Sequence, residues 1–208
     1  MGRKSVQEQR RAEVLDHYAR AIIEDGLEGA STGNVARRMG IGTSLLMHYF
    51  PSKEAMVRAM IARIVDGYGG MLIELLDHVT DPLARLRLIV NRLVGTGEQD
   101  PELQRLFYSC YPLVFRDEKI RGMFQEMFVQ FRLFLESELE SAMEAGKIPR
   151  QSAPDLAALI VTVVEGKDLF HPLLADQDDL QKQQKLLLNC VWELITAGST
   201  SSLTSTKT

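Results

Sequence analysis

Apolar residues recur three or four positions apart along almost the whole chain, and no segment shows the strict polar and apolar alternation of a half-buried strand. A helix places residues with this spacing on one face. The sequence therefore predicts an all-α protein. The chain has 208 residues, of which 45% are hydrophobic, so it can bury a core of its own, and disorder over its whole length is excluded.

Three short helices followed by a long one are predicted in the N-terminal part. Gly26 and Gly40 are suited to the positive φ that ends many helices, and Pro51 cannot continue a helix. Thr32 and Ser52 are the predicted N-caps of the second and fourth helices. The first helix has its apolar stripe between Val14 and Ile23 and ends at Gly26, and the next three are predicted at about 32–38, 43–50 and 53–76.

Longer helices are predicted after residue 76. Asp81 and Asp100 each precede a proline, which places a capping carboxylate before the first helical position. Gly146 ends a further helix, and Ser152 begins a capping box. The predicted helices include 117–145, 156–170 and 178–197. Residues 198–208 are mostly Ser and Thr, so they predict a flexible tail.

Composition restricts the environment of the chain. Cys110 and Cys190 are far apart and lie in apolar surroundings, so they predict reduced core thiols rather than a disulfide or a metal site. The first residues lack the apolar run of a signal peptide. The longest strongly apolar stretch, 156–164, is far below the roughly 20 residues that span a bilayer. We therefore predict a cytoplasmic protein with no membrane partner.

Charge is unevenly distributed along the chain, whose net charge is −4. Residues 1–58 carry nine Lys and Arg against seven Asp and Glu, a balance of +2, which leaves −6 for the remainder. No acidic residue occurs between Glu28 and Glu54. A surface without carboxylates favours contact with phosphate, although chance alone also produces such gaps.

The same stretch has the layout of a helix-turn-helix, in which two short helices are joined by a turn that contains glycine. Its predicted shared core comprises Val35, Met39, Ile41, Leu46 and Tyr49. The predicted outer face of the second helix comprises Thr43, Ser44, Leu45, Met47 and His48. Hydroxyl groups there suit base edges or phosphates, and apolar side chains suit a thymine methyl group. An ordinary helical hairpin is the structural alternative.

Residues 8–65 resemble the TetR family of transcriptional regulators. The resemblance depends on 31–41, Ser-Thr-Gly-Asn-Val-Ala-Arg-Arg-Met-Gly-Ile, and above all on 48–54, His-Tyr-Phe-Pro-Ser-Lys-Glu. Farther along only the layout of helices is similar, with Glu165-Gly166 in the penultimate helix, where many members carry an acidic residue and glycine. The resemblance implies a homodimer joined by its last two helices, a DNA-binding domain made by the first three, and a regulatory domain that holds a small effector.

Carried over position by position, the resemblance implies backbone contacts to double-stranded DNA from Thr32, Tyr49 and Lys53. The residues that would lie along the bases are Thr43, Ser44, Leu45 and His48, with Met47 beside them. Gly33 and Arg37 complete the predicted DNA interface, although Arg37 and Arg38 also suit a solvated face, and His48 also suits local packing. Leu45 and Met47 replace a frequent threonine and tyrosine of the family, so the operator sequence of relatives does not transfer.

Aromatic and methionine residues are dense between Leu106 and Phe134, and such residues surround apolar ligands. The predicted effector contacts are Asn91, Phe107, Tyr108, Tyr111, Met127, Phe131, Glu165 and His171. The polar residues are included because a buried polar group needs a partner. A helical core explains the aromatic residues equally well, and His171 also suits capping of a helix end. The predicted effector is small and largely apolar or aromatic.

The predicted function is a ligand-responsive repressor that binds a palindromic operator as a homodimer and is released by its effector. The predicted divisions are a helix-turn-helix domain at 1–52, a connecting helix at 53–76, an effector-binding and dimerisation domain at 77–197 and the tail at 198–208. Effector and DNA would each lower the affinity for the other through the connecting helix.

Three glycines, Gly67, Gly69 and Gly70, lie inside the connecting helix and predict a kink or flexible joint, with a helix break at the last two as the alternative. An enzyme is disfavoured because the four histidines are scattered and no metal-binding, phosphate-binding or nucleophile motif is present. No cofactor or metal is predicted. A helical adaptor or nucleoid-associated protein of the same fold is the alternative function.

Overall fold

The computed structural model describes residues 3–95, 100–170, 173 and 177–197. These residues form nine α-helices and one short 3-10 helix at Tyr111–Phe115, with no strand among them. The predicted all-α fold is confirmed. The helices are α1 (Arg3–Gly29), α2 (Thr32–Met39), α3 (Thr43–Tyr49), α4 (Lys53–Leu76), α5 (Pro82–Val94), α6 (Pro101–Cys110), α7 (Glu118–Glu144), α8 (Ala153–Phe170) and α9 (Gln177–Thr196).

The chain divides into two compact units. The first contains the described residues of Met1–Gly70 and Asp100–Met127, and the second contains those of Met71–Gln99 and Phe128–Thr208. Both α4 and α7 therefore contribute one segment to each unit. The predicted division at residues 52 and 76 stays a prediction, and the predicted tail lies outside the described residues.

The first unit is built around α1, which packs against α2, α3 and α6. Tyr18 and Ile22, one turn apart on α1, are fully buried, as are Met60 on α4 and Phe124 on α7. Spacing of three or four residues gives each helix one apolar face, and these faces form the core.

The second unit buries apolar residues of α5, α7, α8 and α9 in one cluster. Polar groups reinforce it. Arg85 on α5 donates from Nε to Glu138 on α7 at 2.9 Å, and burial of this charge pair is offset by two further guanidinium contacts, one of them to the Val79 carbonyl. The Lys167 ammonium group is buried and donates to the Leu93 carbonyl near the end of α5 at 2.5 Å.

Most predicted helix limits are confirmed by cap geometry. Asp81 accepts a hydrogen bond from the Ala84 amide at 2.9 Å, Asp100 from Glu102 and Leu103, Ser52 from Ala55 and Ser152 from Asp155. Gly26, Gly40 and Gly146 have φ of 73°, 65° and 66°. These caps connect residues two or three positions apart, which is why the sequence reveals them.

Three expectations are wrong. Ser31, not Thr32, is the N-cap of α2, and its hydroxyl accepts from the Asn34 amide at 3.2 Å. Cys190 is exposed on α9, whereas Cys110 is buried as predicted. The alternative of a helix break at Gly69 and Gly70 is wrong because α4 runs without a break from Lys53 to Leu76, and the kink or flexible joint stays a prediction. Within the described ranges, every helix is too short or too polar to traverse a bilayer.

Candidate nucleic-acid interface

The turn between α2 and α3 is set by backbone hydrogen bonds at the end of α2. Gly40 adopts the left-handed conformation, its amide donates to the Arg37 carbonyl at 3.1 Å, and the Ile41 amide donates to Ala36 at 3.0 Å. These two hydrogen bonds redirect the chain after α2. They require a left-handed backbone conformation at residue 40, which glycine adopts at little steric cost. The following helix therefore packs on α2 through Val35, Ala36 and Leu46, which are all buried.

The opposite face of α3 carries the side chains predicted to read bases. Leu45 and Met47 are 49% and 48% exposed, whereas Leu46 between them is fully buried. Thr43, Ser44 and His48 are also exposed. The five residues thus form one contiguous outer face on α3, rich in hydroxyl and apolar groups and free of carboxylates. The shared core is smaller than predicted, since Met39, Ile41 and Tyr49 are only half-buried.

A polar network anchors α2 to the end of α1. Arg38 pairs with Glu24 at 2.5 Å and with Asp25 at 2.6 Å, and its Nε donates to the Asn34 side chain at 2.9 Å. Asn34 in turn donates to Asp25 at 2.7 Å. The hydrogen bonds from Asn34 and Arg38 lower the pKa of Asp25. Arg38 is therefore a structural residue of the helix-turn-helix.

Arg37 differs from its neighbour, because it is exposed and forms no ion pair with any residue in the described ranges. Gly33, one turn earlier on α2, is also exposed, and a Cβ added there would meet no atom within 4 Å. Thr32 at the start of α2 is half-buried. The sequence left both arginines open between phosphate contact and solvent, and of the two only Arg38 forms ion pairs within the described residues.

Tyr49 and Lys53 both have internal contacts beside the outer face of α3. The Tyr49 ring meets the His48 ring edge-to-face at 5.4 Å between centroids, so His48 is exposed and also packs locally. The Lys53 ammonium group donates to the Glu28 carbonyl near the end of α1 at 3.3 Å. An ammonium group has three donors, which leaves two for other partners.

Arg11 is a functional candidate that sequence reasoning missed. From α1 its guanidinium group donates to the Tyr49 carbonyl at the end of α3 and lies 4.1 Å from the centroid of the Phe50 ring. The two residues joined by the hydrogen bond are 38 positions apart, and no local pattern in the sequence signals a contact over that distance.

The predicted effector residues of the first unit belong to an aromatic cluster. Phe107 on α6 stacks on Tyr111 at 5.6 Å and meets Tyr68, Tyr108 and Phe124 edge-to-face at 5.8, 5.1 and 5.3 Å. Phe107 is only 3% exposed, so these rings fill the space around one another as a core does. Met127, also in this unit, is half-buried.

The predicted effector residues of the second unit have varied environments. Asn91 is exposed on α5, so its expected burial is wrong: it lies on the side of α5 opposite the buried Ile89, Val90 and Leu93. Phe131 packs against the core of the unit. Glu165 is half-buried, and burial raises its pKa to about 7, with Asp168 adding to the rise and Lys167 opposing it. His171 lies outside the described residues.

Two family models match the chain, one in its N-terminal part and one in its C-terminal part. Residues 14–60 match "Bacterial regulatory proteins, tetR family", and residues 103–197 match "Tetracyclin repressor-like, C-terminal domain". The nucleoid occlusion factor SlmA of Vibrio vulnificus (strain YJ016) is 30% identical over 161 residues, which cover 76% of this chain and 81% of SlmA. The chain belongs to the TetR family.

Solved structures have the same TetR-like fold. A transcriptional regulator from Saccharomonospora viridis in complex with choline aligns with a TM-score of 0.80 at 16% identity, covering 90% of this chain and 98% of its own. A TetR transcription regulator from Haloarcula marismortui aligns with a TM-score of 0.78 at 17% identity, covering 90% and 97%. The protein is thus a DNA-binding regulator of the TetR family with an N-terminal helix-turn-helix domain and a helical C-terminal domain.

Proposed function

We propose that the outer face of α3 enters the major groove of an operator and reads its sequence. The observation that carries this proposal is the alternation on α3: Leu46 is fully buried, whereas Leu45 and Met47 on either side are about half exposed. Large apolar side chains held in solvent by a short, well-anchored helix suit contact with thymine methyl groups. Thr43, Ser44 and His48 supply polar contacts on the same face.

Phosphate contacts on either side of α3 would set its register. Arg37 is the strongest of the predicted contacts because it is exposed and unpaired within the described ranges. Gly33 allows a phosphate to approach the backbone of α2 closely, since nothing occupies the space beside it. Thr32, Tyr49 and Lys53 are the other proposed backbone contacts.

We further propose a homodimer joined through α8 and α9. From Ala158 onward, all the exposed residues of α8 are uncharged: Ala158, Leu159, Thr162, Gly166, Leu169 and Phe170. Leu186 and Leu194 are exposed on α9, which packs against α8 in the same unit. A contiguous apolar surface of this kind marks an interaction site. Two copies related by a twofold axis would bind a palindromic operator with half-sites about one or more helical turns apart.

The operator itself is the decisive test. The wild-type chain is mixed with a randomised pool of DNA duplexes, and the retained duplexes are sequenced. We expect a palindromic consensus. Leu45→Ala and Met47→Ala should relax selection at defined positions within each half-site, whereas Leu133→Ala, which removes an equally exposed leucine from α7, should leave the consensus unchanged. Recovery of no preferred duplex would refute sequence-specific regulation.

The dimer is tested by mass measurement in solution. Leu186→Asp places a carboxylate on the proposed interface and should convert the dimer into a monomer that binds a half-site weakly. Leu133→Asp makes the same chemical change on exposed α7 and should stay dimeric. A dimer that survives Leu186→Asp would place the contact elsewhere.

Response to a small, largely apolar effector completes the proposed repressor. The relative from Saccharomonospora viridis was crystallised with choline, and an aromatic cluster such as the one around Phe107 also suits a quaternary ammonium group once its rings part. SlmA favours a second function, nucleoid association without an effector, because its identity of 30% over most of both chains exceeds that of either solved structure.

Release from DNA separates the two functions. Compounds retained by the purified protein are identified by native mass spectrometry and titrated into the complex with the selected duplex. A repressor should lose DNA affinity by the same factor by which DNA lowers its affinity for the compound. A nucleoid-associated protein should retain DNA throughout and bind many duplex sites along the chromosome.

A further inference from the structure

We infer that Arg11 is a positioning residue for DNA binding: it fixes the C-terminal end of α3 from α1 without contacting DNA. Two independent contacts carry the inference. The guanidinium group donates a hydrogen bond to the Tyr49 carbonyl, and its central carbon lies over the Phe50 ring, 4.1 Å from the centroid.

The end of α3 needs such a partner. The last carbonyls of a helix have no donor within the helix and are satisfied by the residues that follow it. The Phe50 amide donates to Leu46 at 3.0 Å, and Pro51 has no amide hydrogen, so the helical hydrogen-bond pattern stops there. Tyr49 is the last residue of α3, and its carbonyl therefore has no donor within the helix. Arg11 supplies a donor from another helix, and its positive charge also favours the negative end of the α3 dipole.

The ring contact makes the position of Arg11 specific. Phe50 is fully buried, so its ring is a fixed surface on which a planar guanidinium group stacks. Arg11 is itself half-buried. Tyr49 and His48 immediately precede Phe50, so the two contacts of Arg11 lie within one turn of the proposed base-reading face.

Energetic consequences follow from the short length of α3. A helix of seven residues has little stability of its own, because nucleation costs more than a few hydrogen bonds return. Its orientation therefore depends on tertiary contacts, and loss of Arg11 should misplace His48 and Met47 relative to a major groove. The loss should lower affinity for the operator and leave non-specific electrostatic binding unchanged.

Arg10 is a matched control. It neighbours Arg11 on α1, carries the same charge, and is exposed in an ion pair with Glu13 at 2.7 Å. Arg10→Ala and Arg11→Ala thus remove the same charge from almost the same place. Any difference between them reports the contacts with Tyr49 and Phe50.

The experiment measures the dissociation constant for the duplex that the wild-type chain selects from a random pool, and for an unrelated duplex, over a range of KCl concentrations. We expect Arg11→Ala to weaken binding to the selected duplex at least about tenfold relative to Arg10→Ala, the loss of one or two base contacts. The slope of log K against log [KCl] should equal that of Arg10→Ala. Arg11→Lys, which keeps the charge and a donor, should recover part of the affinity.

Amide hydrogen exchange adds a second readout: the amides of Tyr49 and Phe50 should exchange faster in Arg11→Ala than in Arg10→Ala. If Arg11→Ala lacks a cooperative thermal transition, the comparison is made with Arg11→Lys, which must then show a smaller loss of the same kind. A salt slope lower by about 0.9 than that of Arg10→Ala would mean that Arg11 contacts a phosphate, and equal affinities of the two variants would mean that it has no role. Either result overturns the inference.

The inference relies on the proposed role of α3 as the reading helix. The two fail separately in this experiment. If the wild-type chain selects no duplex, the proposed function fails. If it selects one and Arg11→Ala behaves as Arg10→Ala does, only the positioning role fails.

Discussion

Glu165 on α8 should make the stability of the protein depend on pH in a direction opposite to that of most carboxylates. Burial is the main cause that raises its pKa from 4.5 to about 7, and the neighbouring Asp168 adds to the rise. A rise of this size corresponds to ~3 kcal/mol of preference for the protonated form in the folded state.

The sign follows from proton uptake. Well below pH 4.5 the carboxyl group is protonated in both the folded and the unfolded chain, and burial costs nothing extra. Between pH 4.5 and about 7 the unfolded chain releases the proton while the folded protein retains it, so the free energy of unfolding falls as pH rises. Above the folded pKa the charge is present in both states, and the full penalty of about 3 kcal/mol applies.

Glu165→Gln isolates this contribution, because glutamine has the same shape and no charge. We expect the variant to be more stable than the wild type in urea by less than about 0.5 kcal/mol at pH 4.5, and by about 2–3 kcal/mol at pH 8. Protein concentration is kept constant, since association alters apparent stability. Glu140→Gln, on the exposed face of α7 in the same unit, is the control and should show a difference that does not change with pH. A constant difference for Glu165→Gln as well would refute the reasoning.

Three further predictions concern the first unit. Ser31→Ala should destabilise the protein by about 1 kcal/mol in urea, because it removes the observed N-cap of α2, whereas Thr32→Ala should cost less than half as much; the reverse order would contradict the cap assignment. Tyr18→Phe should leave stability unchanged or raise it by about 1 kcal/mol in thermal unfolding, because the buried Tyr18 hydroxyl has no hydrogen-bond partner in the part of the chain that the structure describes; a loss above that size would reveal a partner. Lys53→Ala should weaken binding to all duplexes alike and lower the salt slope by about 0.9; a loss confined to one sequence would contradict a phosphate contact.

The features that the sequence predicts are those in which cause and effect are close along the chain. The caps at Ser52, Asp81, Asp100 and Ser152 depend on a side chain and an amide two or three residues apart. Helix class follows from spacing within a single helix. Even the error at α2 is local: Ser31 and Thr32 are adjacent residues with the same capping group, and the sequence does not say which of two hydroxyls is outside the first turn.

Interactions between distant residues were not predictable in this way. Arg11 bonds to Tyr49, Arg85 to Glu138 and Lys167 to Leu93 across 38, 53 and 74 residues. Each cation caps or pairs with a group on another helix, and the sequence of its own helix does not indicate which group that is. Exposure was misjudged for a related reason: Cys190 shares its face of α9 with the exposed Leu186 and Leu194, whereas the buried Val191 next to it points in another direction, since adjacent helical residues differ in direction by about 100°.

The same distinction applies to the candidate interface. The outer residues of α3 were predictable because they surround the buried Leu46 in sequence, and the position of one buried residue on a short helix fixes which residues face outward. Which arginine of α2 forms ion pairs was not predictable, because the partners of Arg38, Glu24 and Asp25, lie on α1. The outer surface of α3 is predictable from the sequence, whereas the contacts that hold this helix are visible only in the structure.

The first unit is discontinuous, since it joins residues up to Gly70 with Asp100–Met127, and this arrangement has a consequence during protein synthesis. A ribosome that adds about 5–20 residues per second needs roughly 4–16 s to advance from the end of α1 at Gly29 to the end of α6 at Cys110. Throughout that interval α1 has emerged without α6, the helix against which it packs. The nascent helix-turn-helix therefore exposes apolar surface of α1 to chaperones and proteases, and it completes its core only after all of α5 has left the ribosome.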